Sequence, residues 1–557
     1  MKVSEPDNFP VLAGSGLSSD VVIRPPIARA WQWLPAIFAF ALLAFQAAIP
    51  WTTHVFVTQD GPSHLYTGIV LKDLMLHRHS PYSSVYMPQP EIVPNSASAV
   101  LLAMAATVVG TAHAEQLLAS FCLIVGFFAI SYALAALDPQ TPPWSPLTNF
   151  LLLNSFLSTG FYNFYIGMAL FGLAIGFYVR HWERLTKRSA LLLATGLVGL
   201  FFTHIMAAAL AAMTVVVVAL WMHIVGPFLS TPGRLPLRRT LTRLGMLTAA
   251  LLPLLLLTIV FSTLSREGVQ FRPELARSFN EFPVNLFIIG PGRSGTQELL
   301  WPAILFYMTI AAFAIRRREW STPRAGILIA AVLTVVLYLL LPDDGFGGQE
   351  VKKRLAWAVF ILGCLVACSV TRLQPVRIVV SIYVASFLAG TLVTSVRVSR
   401  AIGSAVGEYV SAMSNIPDGA TFVRVYFPIP GVPVRFGFAG VPLAPLFHAD
   451  AYVAASRHMI DLSDYQAASG LFPVTYVPVI DTAHRYSLWG LENSANKNRD
   501  KLRWLRATLP ISIDYVVVVG DAASADGLGI DMRIDMRPMA TTARDAFVRV
   551  YQRTGVR

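Results

Sequence analysis

Charge is the scarcest property of this chain. Only 13% of its 557 residues are charged, against about 25% in soluble domains, which excludes an ordinary soluble protein. Cysteine is nearly absent. Cys122, Cys364 and Cys368 all lie in apolar runs, and no His or acidic residue accompanies the last two on their shared helix face, so they read as packing residues rather than redox or metal groups. No internal repeat or low-complexity tract occurs, which leaves an inverted-repeat transporter without support. Residues 1–30 lack a cleavable-looking signal, and 33–50 reads as an uncleaved first span. The net charge of +12 is gathered largely in short loops between apolar runs, which argues against a nucleic-acid partner.

What is present is hydrophobic length. With 55% hydrophobic residues and roughly 20 needed per span, about eleven transmembrane helices are expected. They fall near 33–50, 96–113, 116–137, 147–179, 189–204, 206–227, 244–262, 299–315, 325–341, 355–371 and 377–395. The 147–179 run is interrupted by Asn149, Asn154, Ser155, Ser158, Gly160 and Asn163 and is expected to be broken. The 189–227 run is split near His204. Basic loops "RHWERLTKR" (180–188), "RLPLRRTLTR" (234–243), "RRREWSTPR" (316–324) and "RLQPVR" (372–377) share one side, which should be cytoplasmic.

This gives a polytopic α-helical membrane protein with a C-terminal soluble α/β domain. A cytoplasmic tail (1–30) precedes a transmembrane domain (31–396) with outer loops 51–95, 263–298 and 342–354. Residues 397–557 form the extracytoplasmic domain, where strand-like runs 421–428, 472–478, 515–520 and 547–552 alternate with helix-like stretches 405–415, 448–459 and 495–508.

The outer loops hold the candidate chemistry. In "FVTQDGPSHLYTG" (56–68), Asp60 can cap a helix that Gly61-Pro62 starts. The body, 63–78, would be amphipathic and able to rest on the membrane or on other helices. His64, one turn on, can orient Asp60, hydrogen-bond a donor phosphate, or simply face solvent. Glu91 is a second carboxylate at this level, for an acceptor or for loop capping. Lys352, Lys353 and Arg354 open a span on the outer side, against the positive-inside trend. They suit an anionic lipid headgroup or snorkel to phospholipid. Arg272 and Arg293 lie among mixed charges in 263–298, and either can contact phosphate or solvent. Asn163 and His204 in apolar segments either line a cavity or join helices.

An inward N-terminus, one span and a long outer loop with an early acidic residue resemble the GT-C superfamily of integral-membrane glycosyltransferases, including protein O-mannosyltransferases and aminoarabinose lipid A transferases. "QDGPSHLY" looks like the DGP-x-H-L-Y signature of bacterial members. The resemblance covers the spans, the first outer loop and the C-terminal domain. It implies that Asp60 is the catalytic carboxylate, with His64 beside it, and that Arg354, Lys353, Lys352 and Arg272 bind the donor phosphate. The donor would be a polyprenyl-phosphate-linked sugar and the acceptor a lipid, glycan or protein, at the outer face of the inner membrane. Glu91, Asn163 and His204 would belong to the acceptor side or the cavity. Many members carry an acidic doublet, whereas Gly61 follows Asp60 here, so a divalent metal lacks its second ligand and no other cofactor is required. A transporter or flippase of lipid-linked or polar solutes is the competing reading. An inactive scaffold that serves as an assembly partner is another.

Overall fold

The computed structural model describes residues 26–56, 58–77, 80–138, 146–230, 237–264, 278, 280–281, 320–343, 350–370, 374–426, 436–438, 441–443, 446–480, 506–520, 536–539 and 548–554. Helices dominate the first three quarters: α1 (Pro26–Ala48), α2 (Gly61–Leu76), α3 (Ala97–Val109), α4 (Thr111–Leu137), α5 (Pro146–Leu152), α6 (Ser155–Thr159), α7 (Tyr162–His181) and α8 (Lys187–Thr203). They continue as α9 (Ile205–Leu220), α10 (Gly226–Ser230), α11 (Leu237–Leu264), α12 (Pro323–Leu340), α13 (Val351–Val370) and α14 (Gln374–Met413). The 147–179 run is broken as its polar residues suggest, into α5, α6 and α7. Asn154 caps α6 and Gly160 ends it at φ +85°. His204 separates α8 from α9, its Nδ1 accepting from Met206 N–H at 3.2 Å.

Among the described residues, Thr111–Leu137, Tyr162–Arg184, Ile205–Phe228, Leu237–Thr263 and Pro323–Leu340 are long and apolar enough to cross a membrane. That is fewer than the sequence reading expects. The helix at 97–109 has 13 residues and that at 187–203 has 17, and the run 299–315 lies outside the described residues. α14 is longer than expected. It runs 40 residues, through the boundary placed at 396, because beyond its apolar part it buries Val406, Tyr409 and Met413.

The later part holds a mixed sheet: β2 (Thr421–Tyr426), β5 (Ile460–Asp461), β7 (Tyr515–Val519), β8 (Met536–Pro538) and β9 (Val548–Arg553), in the order β5-β2-β7-β9-β8. β5, β2 and β7 are parallel, and β9 and β8 are antiparallel additions. All five β7 residues are buried, which fits the continuous valine run of a central strand covered on both faces. A hairpin, β3 (Phe436–Phe438) with β4 (Val441–Leu443), and the helices α15 (Ala449–Arg457) and α16 (Tyr465–Ser469) complete this part.

The segment between α1 and α3 and the C-terminal region form one packed unit. β1 (Tyr86–Pro88) pairs antiparallel with β6 (Val474–Tyr476). Tyr66 on α2 donates to Met459 O at 3.0 Å and accepts from Asp461 N at 2.9 Å. Tyr86 donates to Asp461 O and stacks on Tyr476, centroids 5.1 Å apart. Such aromatic pairs contribute about 0.5–1.5 kcal/mol each beyond burial. Instead of lying along a membrane surface, α2 is buried over its first ten residues, between α3 and α15.

Candidate functional site around Asp60

The Asp60 loop is fixed from beneath by one carboxylate oxygen. Glu115 Oε1, near the start of α4, accepts from Thr58 N at 2.9 Å, Thr58 Oγ1 at 2.7 Å and Tyr162 Oη at 2.9 Å. Asp60 N donates to Thr159 O at 2.9 Å. A Cβ at residue 61 would stand 1.8 Å from Glu115 Oε1, and one at residue 160 would stand 2.3 Å from Thr58 Oγ1. The glycine of the motif is therefore required by packing. Pro62 follows in the first helical turn, where its missing N–H costs nothing.

Capping is not what Asp60 does. It occupies the N-cap position of α2 with no side-chain cap bond, while Thr58 Oγ1 takes the N–H of Gly61 at 3.1 Å. The Asp60 carboxylate is thereby left to its surroundings. Its side chain is 14% exposed, with Oδ1 3.4 Å from Gln59 Nε2 and 3.9 Å from His448 Nε2. Burial raises its pKa to about 7; the Gln59 amide opposes this, Glu350 adds to it, and Tyr465 and Arg354 pull it down. Such a carboxyl can both lose and regain a proton near neutral pH.

His64 turns to other partners. Its Nδ1 lies 2.9 Å from Gln466 Nε2 and 3.2 Å from Ser98 Oγ, and Gln466 Oε1 accepts from Thr67 at 2.7 Å. Burial lowers the His64 pKa to about 3, so the ring is neutral and ties α2 to α16. Asn163 joins helices: its Oδ1 accepts from Ser98 N at 2.7 Å and its Nδ2 donates to Asn95 O at 2.9 Å. His204 packs edge-on to Phe164 at 4.9 Å. Glu91 is exposed in the bend after β1.

The three cations at the start of α13 separate by partner. Lys352 is buried and donates to Ser278 Oγ at 2.6 Å. Lys353 pairs with Glu350. Arg354 has its guanidinium carbon 5.0 Å from the Phe161 ring and 5.4 Å from that of Phe164. Its Nε is buried without a hydrogen-bond partner among the described residues, as is Nε1 of Trp357 one turn on. Trp357 stacks on Phe156 at 5.2 Å and meets Phe164 at 5.7 Å. Arg354 and Asp60 are near enough to act on each other's charge. Arg272, with Arg293, lies outside the described residues.

Sequence reasoning missed Glu115, His448 and Tyr465. Glu115 had a signal, as a lone acid in the short gap between the apolar runs 96–113 and 116–137. His448 and Tyr465 come from the C-terminal region and have no local pattern that ties them to Asp60. Among the described residues no group of three or more His, Cys, Asp or Glu side chains is arranged to hold a metal ion.

No protein-family model matches the chain, and no curated protein sequence does. Solved structures do. The arabinofuranosyltransferase AftD from Mycobacteria is similar at 14% identity and a TM-score of 0.45, over 95% of this chain and 40% of that one. The chain thus spans well under half of AftD's length. ArnT from Cupriavidus metallidurans is similar at 13% identity and a TM-score of 0.46, over 94% of this chain and 98% of that one. The Archaeoglobus fulgidus oligosaccharyltransferase is similar at 11% identity and a TM-score of 0.46, over 93% and 74%.

Proposed function

We propose that this protein transfers a sugar from a polyprenyl-phosphate carrier to a lipid, glycan or protein acceptor at the outer face of the inner membrane. The N-terminus would be cytoplasmic and the region after α14 extracytoplasmic. One observation carries the reading: a largely buried carboxylate, released from capping its own helix, shares a site with an arginine whose buried Nε has no partner among the described residues.

Asp60 takes the proton of the acceptor nucleophile as that atom attacks the anomeric carbon. The new glycosidic bond forms as the bond from the anomeric carbon to the phosphate oxygen breaks, and the electron pair leaves with the polyprenyl phosphate. One displacement inverts the configuration. Arg354 holds the phosphate and offsets its charge as it departs. An apolar cavity bordered by Thr58, Phe56, Leu123, Leu157 and Ile402 gives room beside the loop for part of an isoprenoid chain. His64, engaged with Gln466 and Ser98, positions α2 and holds no proton to donate from Nδ1.

The test is product formation by purified protein from synthetic polyprenyl-phosphate sugars. Asp60→Asn is expected to reduce transfer by at least about 100-fold and to remain folded. Because Asp60 acts in its ionised form, wild-type kcat/KM should rise with pH through about 7. Stability should move oppositely. The folded pKa lies above the ordinary 3.8, so this group's contribution is full below 3.8 and is lost as pH rises through about 7. Asp60→Asn should remove that component. Wild-type rates in Asp60→Asn would sink the assignment.

A further inference from the structure

The region after α14 does more than cover the loop. His448 lies just before α15, with its ring between Phe447 at 4.5 Å and Tyr465 at 4.7 Å. Its Nδ1 is 3.3 Å from Arg424 Nη1. A guanidinium only donates, so Nδ1 accepts and the ring proton is on Nε2. That nitrogen stands 3.9 Å from Asp60 Oδ1. Arg424 on β2 is itself held, its Nη1 3.1 Å from Asp450 Oδ1 and its guanidinium 4.7 Å from the Phe447 ring. Asp450, Arg424, His448 and Asp60 form a continuous line of buried or nearly buried groups from the mixed sheet to the loop.

We propose that His448 is a positioning residue for the Asp60 carboxylate, aimed by Arg424 and Asp450, so that the C-terminal region is part of the reaction centre. The inference rests on the reading of Asp60 as the base. Four considerations support it. Burial, the Arg424 charge and nearby His64 hold the ring well below its usual pKa, so His448 meets the carboxylate as a neutral donor. The Arg424 contact fixes which nitrogen carries the proton. The aromatic neighbours fix the ring plane. At 3.9 Å the contact is longer than a hydrogen bond, and contacts of this kind in unliganded active sites often tighten on substrate binding. The other charged or titratable groups facing Asp60 are Glu350 and Arg354 at the start of α13 and Tyr465 on α16. Those facing His448 are Arg424, His64 and Tyr465.

The experiment compares kcat, KM and the pH profile of transfer for wild type, His448→Phe, His448→Asn and His448→Gln, each checked for folding by thermal unfolding. Phe keeps the aromatic packing without a donor. Asn keeps an acceptor for Arg424 but does not reach Asp60. Gln extends an N–H toward the place of Nε2. Loss of the donor disfavours the ionised carboxylate. The acidic limb should therefore move up by about one pH unit in the Phe and Asn variants, with kcat at pH 7 down about fivefold and KM little changed. Gln should restore the wild-type limb. A ring needed only for packing gives the reverse, with Phe like wild type and Gln impaired, and overturns the proposal. If wild type transfers no sugar, the functional reading fails. The Asp60 carboxyl can then be titrated by infrared difference spectroscopy, with Asp60→Asn as the blank. An unmoved carboxyl pKa in folded His448→Phe would overturn the inference on its own terms, and an upward shift of about one unit would sustain it.

Discussion

The two sides of the candidate site use their polar atoms in opposite ways. Beneath Asp60, hydrogen bonds converge: three donors meet Glu115 Oε1, Thr58 Oγ1 takes the Gly61 N–H, and the Asp60 N–H reaches Thr159. Across from it, at the start of α13, two buried donors on Arg354 and Trp357 have no partner among the described residues and face aromatic rings. The contrast separates roles. Convergent bonds fix geometry, and breaking them leaves buried groups unmatched. Unmatched buried donors already bear their desolvation cost, so they favour the arrival of an anion.

The largest effect should come from the open side. Arg354→Ala is expected to weaken binding of a synthetic polyprenyl phosphate about 10- to 100-fold, the equivalent of one lost charge-assisted contact of roughly 1.5–3 kcal/mol. Lysine should restore only part of this, since it lacks the planar fork that matches a phosphate. Thermal stability should hold or rise, because the substitution removes a half-buried cation whose buried Nε is unmatched among the described residues. Binding measured by native mass spectrometry checks the first outcome, and unchanged affinity would erase the distinction between the sides.

A smaller effect of a different kind should come from the closed side. Glu115→Ala leaves the Thr58 and Tyr162 hydroxyls and the Thr58 N–H without their acceptor, at a cost of about 2–4 kcal/mol in stability. Glu115→Gln keeps a carbonyl oxygen that can still accept, and should cost about 1 kcal/mol. In both, kcat should fall because the Asp60 backbone is no longer held in register, while affinity for the carrier lipid stays near wild type. If Glu115→Ala weakened lipid binding as much as Arg354→Ala, the division would fail. Thermal unfolding, kcat and lipid affinity on the same variants decide it.

How far the sequence could foresee this site follows from where each contact originates. Asp60, Gly61 and Pro62 stand together in the chain and mark a helix start, so their place was legible. The reason for Gly61 was not, because its constraint comes from Glu115, 54 positions on and on another helix. The breaks around α6 and at His204 were legible because polar residues interrupt apolar periodicity. The pairing of β1 with β6 was not, since three residues are too few to display a period. The end of α14 was misplaced because hydropathy reports the bilayer and says nothing of a helix that continues into a protein core. The line from Asp450 through Arg424 and His448 to Asp60 brings together residues from a strand, a helix and two loop positions, and no local spacing encodes that.

The smallest effect is expected at Glu91, and it tests the comparison where both sides are silent. This carboxylate is exposed beyond β1. Its own loop is held by a neighbour: the Gln89 N–H donates to Pro473 O at 2.9 Å and its side chain to Gly470 O at 3.0 Å. Removing Glu91 therefore breaks no buried contact. Glu91→Ala should leave stability within about 0.5 kcal/mol and transfer within about twofold. A drop of tenfold or more in kcat/KM with stability unchanged would mean that the acceptor touches this loop. The closed side would then include a surface that binds as well as one that positions, and the acceptor would enter between β1 and the Asp60 loop.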